Sequence, residues 1–123
     1  MILVVDDHPD TVTVLCRFLL RNGFKTACAK NGEEALDLLR TISPRLIILD
    51  LQMPVMNGLE MLQELAQDEH LGEIPVLMYS AGHNKAQIET AMHLGAKGFL
   101  VKGAVDISEL MEAVSKYAKP SAN

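Results

Sequence analysis

A doubly wound α/β fold, with a five-stranded parallel sheet in the order 2-1-3-4-5 and five helices, is what the sequence predicts. Three observations predict it. Five short apolar runs alternate with five stretches of helical periodicity, the pattern of strands joined by crossover helices. Four of the runs are continuously apolar, as strands covered on both faces are. The one polar run comes second, which places it at an edge and the first strand inside the sheet.

The strands are expected at Ile2–Val5, Lys25–Ala29, Leu46–Leu49, Val76–Tyr79 and Gly98–Val101. Between them, Val12, Leu15, Cys16 and Leu19 follow the i, i+3, i+4, i+7 spacing of a helix face. Ala35, Leu38, Leu39 and Ile42 repeat it, and Leu59, Leu62 and Ala66 form a shorter stripe. Ile88, Ala91, Met92 and Gly95 make the weakest stripe, which suits a mobile helix. The clearest stripe is Ile107, Leu110, Met111, Val114 and Ala118. Asn31 with Glu34, and Asp106 with Glu109, read as capping boxes. Gly23 and Gly95 read as helix stops. Pro44 and Pro75 precede strands, where a missing N–H is tolerated.

The chain of 123 residues is the size of one domain. It is expected over residues 1–118, with Lys119-Pro120-Ser121-Ala122-Asn123 as a C-terminal tail. Hydrophobic residues make up 49% and aromatics only 4%, so the core is aliphatic. A net charge of −5 argues against direct nucleic-acid binding. No apolar run approaches the roughly 20 residues of a membrane helix, and Met1–Val5 is too short for a signal peptide. A cytoplasmic location without membrane insertion is therefore expected. Cys16 and Cys28 read as two buried free thiols, and the seven Met residues mostly as core filling. His8, His70, His83 and His93 show no metal-ligand spacing and read as surface residues.

In open parallel sheets ligands bind at the carboxyl ends of the strands, beside the switch in strand order. Those ends carry Asp6-Asp7 after strand one, Asp50 after strand three, Ser80 after strand four and Lys102 after strand five. Three carboxylates at one edge repel each other, and a hard divalent cation relieves this. Mg²⁺ fits better than Zn²⁺: Asp7 and Asp50 are candidate direct ligands, a backbone carbonyl after Asp50 a third, and Asp6 acts through water. A carboxylate beside Mg²⁺ can take a phosphoryl group, with Lys102 and Ser80 to stabilise it. Singly, each residue has a plainer reading, such as helix cap, loop acid or surface cation.

The motifs Ile2-Leu3-Val4-Val5-Asp6-Asp7, Leu46–Asp50 with Leu51–Gly58, Met78-Tyr79-Ser80-Ala81 and Gly95–Lys102 together resemble the receiver domain of two-component response regulators. The resemblance implies a flavodoxin-like fold and a Mg²⁺-dependent phosphoacceptor switch. Asp50 would accept the phosphoryl group from a histidine kinase or histidine phosphotransfer protein. Asp6, Asp7, Asp50 and the Gln52 backbone carbonyl would hold the metal. Ser80 would move onto the phosphoryl group, Lys102 would pair with it, and Phe99 would be the aromatic switch. The repacked face of helix four, strand five and helix five would then control a downstream protein or output domain. A dimer formed on phosphorylation is one assembly this leaves open. Such a domain is no enzyme beyond catalysing its own phosphorylation and dephosphorylation. Gln52 and Gly82 would flank the attacking water. The loop Pro54–Gly58 is expected to need its glycine for a turn.

The sequence departs from the family at Gly103, where proline usually follows the lysine. A trans 102–103 bond and a looser loop are expected from it. Two rivals stay in view. A Mg²⁺-dependent phosphohydrolase would place its acids one residue apart after strand one and add a cap domain. A binding-only receiver would never carry phosphate, and Gly103 is its one support.

Overall fold

The structure, a computed structural model, describes residues 1–119. The tail expected at 119–123 therefore lies, from residue 120 on, outside the described residues. Five strands, β1 (Ile2–Val5), β2 (Thr26–Ala29), β3 (Leu46–Leu49), β4 (Val76–Ser80) and β5 (Gly98–Val101), alternate with five helices. These are α1 (Pro9–Arg21), α2 (Gly32–Leu38), α3 (Gly58–Ala66), α4 (Lys85–His93) and α5 (Ile107–Ser115). All pairings are parallel and the order is β2-β1-β3-β4-β5, as the run pattern predicts. A short 3₁₀ turn, Leu71–Glu73, is an addition the sequence did not suggest.

Strand alternation sends successive side chains to opposite faces and so makes two cores. Leu3, Val5, Ile47, Leu49 and Met78 pack with Ala35, Met61, Leu62 and Ala91 beneath α2, α3 and α4. Ile2, Val4, Leu46, Ile48 and Leu77 pack with Leu15, Leu19, Leu110 and Val114 beneath α1 and α5. Burial of these aliphatic side chains holds the layers together.

Several local expectations change. β5 is not covered on both faces: all four of its residues are half-buried, because it forms the second edge of the sheet. Asn31 caps α2 through the Glu34 N–H, but the Glu34 carboxylate accepts from Lys30 and leaves the reciprocal bond unmade. Asp106 with Glu109 does close a full box. α4 carries an unexpected one, Asn84 with Gln87, although Met92 on its predicted stripe is exposed. Gly23 and Gly95 take φ of 86° and 110°, as helix stops do. The thiols are not buried: Cys16 is half-buried and Cys28 exposed.

The loop Pro54–Gly58 turns differently from expectation. Its left-handed residue is Val55, at φ 69°, where the Met56 N–H donates to the Pro54 carbonyl at 2.7 Å. Gly58 instead begins α3 in close approach to β3. A Cβ there would collide with the Asp50 carbonyl oxygen and meet the Leu51 Cα at 3.0 Å.

Candidate functional site

The site is built by strand register. Val5 pairs with Leu49, so the next residues, Asp6 and Asp50, leave the sheet side by side. The Asp6 N–H donates to the Ala29 carbonyl at 3.0 Å, and the Asp50 N–H to the Val5 carbonyl at 2.9 Å. On the other flank the Lys102 N–H donates to the Ser80 carbonyl at 3.1 Å. Backbone pairing thus continues one residue past the strands and fixes where these side chains start.

The side chains converge. Lys102 Nζ donates to Asp6 Oδ2 at 2.7 Å and lies 3.7 Å from Asp50 Oδ2. Asp6 and Asp50 are each only 3% exposed, so this ion pair feels a lower dielectric than a surface pair. Asp50 Oδ1 also accepts the Leu51 N–H at 2.8 Å. Burial pushes the Asp50 carboxyl above its usual range, and the Asp6 charge adds to this. Ser80, Lys102 and the Leu51 N–H oppose the shift. The Ser80 hydroxyl donates its proton to the Gly82 carbonyl at 3.2 Å.

His8, exposed as expected, joins the group, and its place beside the acid pair had already marked it as a residue that could tune the site. Its backbone N–H and its ring Nδ1 each lie 2.9 Å from Asp6 Oδ1, with Nδ1 3.6 Å from Asp50 Oδ2. The hydrogen bond to Asp6 raises its pKa above the ordinary histidine value, with smaller help from the Asp6 and Asp7 charges. The one signal was its place beside the acid pair. Its ring orientation is a torsional outcome that spacing does not encode.

Asp6, Asp7, His8 and Asp50 each offer a ligand atom, and these atoms all lie within 4.8 Å of one another. Asp7 Oδ1 is buried and has no hydrogen-bond partner. His8 Nδ1 stands 3.2 Å away but outside bonding geometry. A buried, unpartnered carboxylate oxygen is costly, and a hard cation would satisfy it. The donor set, three carboxylates at one sheet edge, fits Mg²⁺ or Mn²⁺.

Gln52 lies in the loop after β3, its side-chain amide against Gly82, where an added Cβ would stand 3.3 Å from Nε2. Ser80 is 1% exposed, at the end of β4. Phe99 is half-buried against the α2–α4 core, and its ring meets the His83 ring with centroids 5.7 Å apart. Sequence gave no sign of the His83 contact. The peptide after Lys102 is trans, since no cis bond occurs among the described residues. Gly103 takes φ 86°, and a Lys102–Val105 bridge holds the loop that aims the lysine.

The response regulator receiver domain family model matches residues 2–115. The chain belongs to that family. Among its relatives is the nitrate/nitrite response regulator protein NarL of Escherichia coli (strain K12), 34% identical over 128 residues. That match covers 95% of this chain and 54% of NarL, so the chain spans about half the length of this relative. Among solved structures, a response regulator receiver protein from Pseudomonas putida is 30% identical with a TM-score of 0.88, covering 94% of each chain. The Mn²⁺-bound form of response regulator Rcp1 is 25% identical with a TM-score of 0.78, covering 94% of this chain and 88% of that one. The chain is thus a phosphorylatable receiver domain of two-component signalling. Among the described residues no helix is long and apolar enough to cross a membrane.

Proposed function

We propose that this receiver domain takes a phosphoryl group onto Asp50 in a Mg²⁺-dependent step and relays it as a change in its α4–β5–α5 face. One observation carries the reading. Asp6, Asp7 and Asp50 meet at the carboxyl edge with a partnerless buried oxygen on Asp7 and the Lys102 ammonium close by. Asp6, Asp7 and Asp50, with the Gln52 carbonyl, would hold the cation. Bound there, Mg²⁺ would neutralise charge on the phosphoryl oxygens. The Mn²⁺-bound state of Rcp1 supports a divalent ion at such a site.

The chain's own residues do the rest. An Asp50 Oδ attacks phosphorus, and the phosphorus–nitrogen bond to a donor histidine breaks. The imidazole leaves with the electron pair and takes a proton. Lys102, now between Asp6 and Asp50, shifts its charge onto the new phosphoryl oxygens. Ser80 releases the Gly82 carbonyl and donates to the same group. Phe99 then repacks toward the space Ser80 leaves, and the phosphoryl group biases an existing equilibrium. Water hydrolyses the acyl phosphate near Gln52 and Gly82. The domain catalyses only these two steps on itself.

The partners are a histidine kinase or histidine phosphotransfer protein as donor and a downstream protein or output domain as reader, in the cytoplasm. Ala118, buried beneath α5, supports a functional unit of residues 1–118. The test is the intact mass after incubation with Mg²⁺ and acetyl phosphate. One phosphoryl group on the wild type and none on Asp50→Asn is the expected result. No adduct on the wild type, with a beryllofluoride mimic also failing to bind, would leave the binding-only reading.

A further inference from the structure

Beside the acid edge, α1 and β2 bring two cysteines into contact. Cys16 lies on the inward stripe of α1 and is half-buried, packed against the core near Leu15 and Leu19. Cys28 sits on the edge strand β2, opposite Val4 of β1, and is exposed. Their sulfurs are 3.3 Å apart, in hydrogen-bond contact. A disulfide needs about 2.05 Å between sulfurs, so an approach of roughly 1.2 Å would join them. Cys28 also lines a cleft of about 520 Å³ that Asp7, Thr13, Lys30 and Glu34 share, so solvent and small solutes reach it.

We propose that Cys16 and Cys28 form a reversible dithiol–disulfide site, oxidised by small disulfides of the glutathione class, that staples α1 to β2. Neither thiol has a part in phosphoryl transfer, and the site stands whether or not Asp50 accepts phosphate. A cytoplasmic disulfide of this kind is a transient, redox-responsive bond.

Burial and the contact with Cys16 push the Cys28 thiol up to about 12, and either sulfur can donate its proton to the other. Whichever thiol first loses its proton attacks as the thiolate, displaces one thiolate from the external disulfide and becomes a mixed disulfide. The second thiol gives its proton to water, attacks the protein sulfur of that mixed disulfide and expels the second external thiolate. The two protein thiols lose two electrons and two protons in all, and the external disulfide becomes two thiols.

The test holds the full chain in glutathione buffers of rising oxidised fraction, quenches with acid, and reads intact mass without reductant. The expected wild-type product is lighter by two hydrogens, carries no glutathione, and returns to full mass with dithiothreitol. Peptide mapping should place the bond between residues 16 and 28. The oxidised form should melt roughly 5–10 °C higher, as closure of a short loop predicts. Cys16→Ser and Cys28→Ser should each stop at one glutathione adduct on the remaining thiol, with no intramolecular bond. The wild-type mass decides the matter even if a serine variant folds poorly. Glutathione adducts accumulating on the wild type, a disulfide-linked dimer, or full reduced mass at the most oxidising ratio would each overturn the proposal.

Discussion

The centre of the sheet and its far edge are built to different standards. Every residue of β1 and β3 is buried, while every residue of β5 is only half-buried. The helices differ likewise: α3 buries Gly58, Met61, Leu62 and Leu65, whereas α4 buries Ala91 alone. The acids Asp6 and Asp50 stand on the first pair of strands, and Phe99 and Lys102 on or just after β5. A close-packed core resists displacement, because its arrangements are discrete. A thinly packed edge can repack at small cost. Under the proposed switch, Asp6 and Asp50 would act from the close-packed centre, while the response would fall to the thinly packed edge that also carries Lys102.

The largest expected effect tests that contrast directly. Ile48 is 2% exposed at the centre of β3. Ile48→Ala should cost about 3–4 kcal/mol of unfolding free energy, the range for emptying a well-packed site. Leu100, half-buried on β5, should cost roughly half as much when cut to alanine, since part of its surface already meets water. Urea denaturation of both variants checks this. Equal losses would mean that the edge is as tightly packed as the centre, and the division of labour would fail.

A smaller effect separates chemistry from response. Phe99 lies on the edge side, half-buried with its ring against His83. Phe99→Ala should leave the rate of phosphorylation by acetyl phosphate unchanged. It should weaken the phosphorylation-dependent gain in affinity for a reader protein by about tenfold, or 1.4 kcal/mol. Calorimetric titration of the beryllofluoride-loaded variant gives the number. Full reader affinity in the variant would remove Phe99 from the relay.

The same contrast explains what the sequence could show. The central strands were legible because burial on both faces forces unbroken apolar runs such as Leu46–Leu49. Once the order of strands was fixed, Asp6, Asp50, Ser80 and Lys102 had to fall on one edge. Placement at strand ends is a backbone property, and alternation encodes it. Features that depend on a side chain's path were not legible. His8 reaches Asp6 through its ring torsion, and Cys16 meets Cys28 because a helix crosses an edge strand at that level. The α4 cap was missed because Gly82-His83-Asn84 has the composition of an open loop, though Asn84 caps a helix there. β5 was misjudged because half-burial at an edge and full burial inside a sheet can share one apolar run.

The smallest prediction concerns the loop that joins the rigid β3 to α3. Val55 is 73% exposed and sits at φ 69°, a conformation that a β-branched residue rarely adopts. It is the central residue of a turn closed by the Met56 N–H on the Pro54 carbonyl. The left-handed region costs a non-glycine residue about 1–2 kcal/mol. Nothing about Val55 itself offsets that, since its side chain packs against no core. The loop holds because both ends are tied: the Gly32 N–H donates to the Met56 carbonyl at 3.0 Å, and the Gly58 N–H to the Leu51 carbonyl at 2.9 Å. Local strain of this kind persists when its surroundings over-determine it. Asparagine tolerates the left-handed region, so Val55→Asn should raise stability by about 0.5–1 kcal/mol, or roughly 2–4 °C in Tm. Val55→Ile keeps the β-branch and should leave Tm where it is. A lower Tm for Val55→Asn would mean that the valine side chain, not the conformation, matters there. A higher one would show that the loop next to Asp50 carries strain that its two tied ends hold in place.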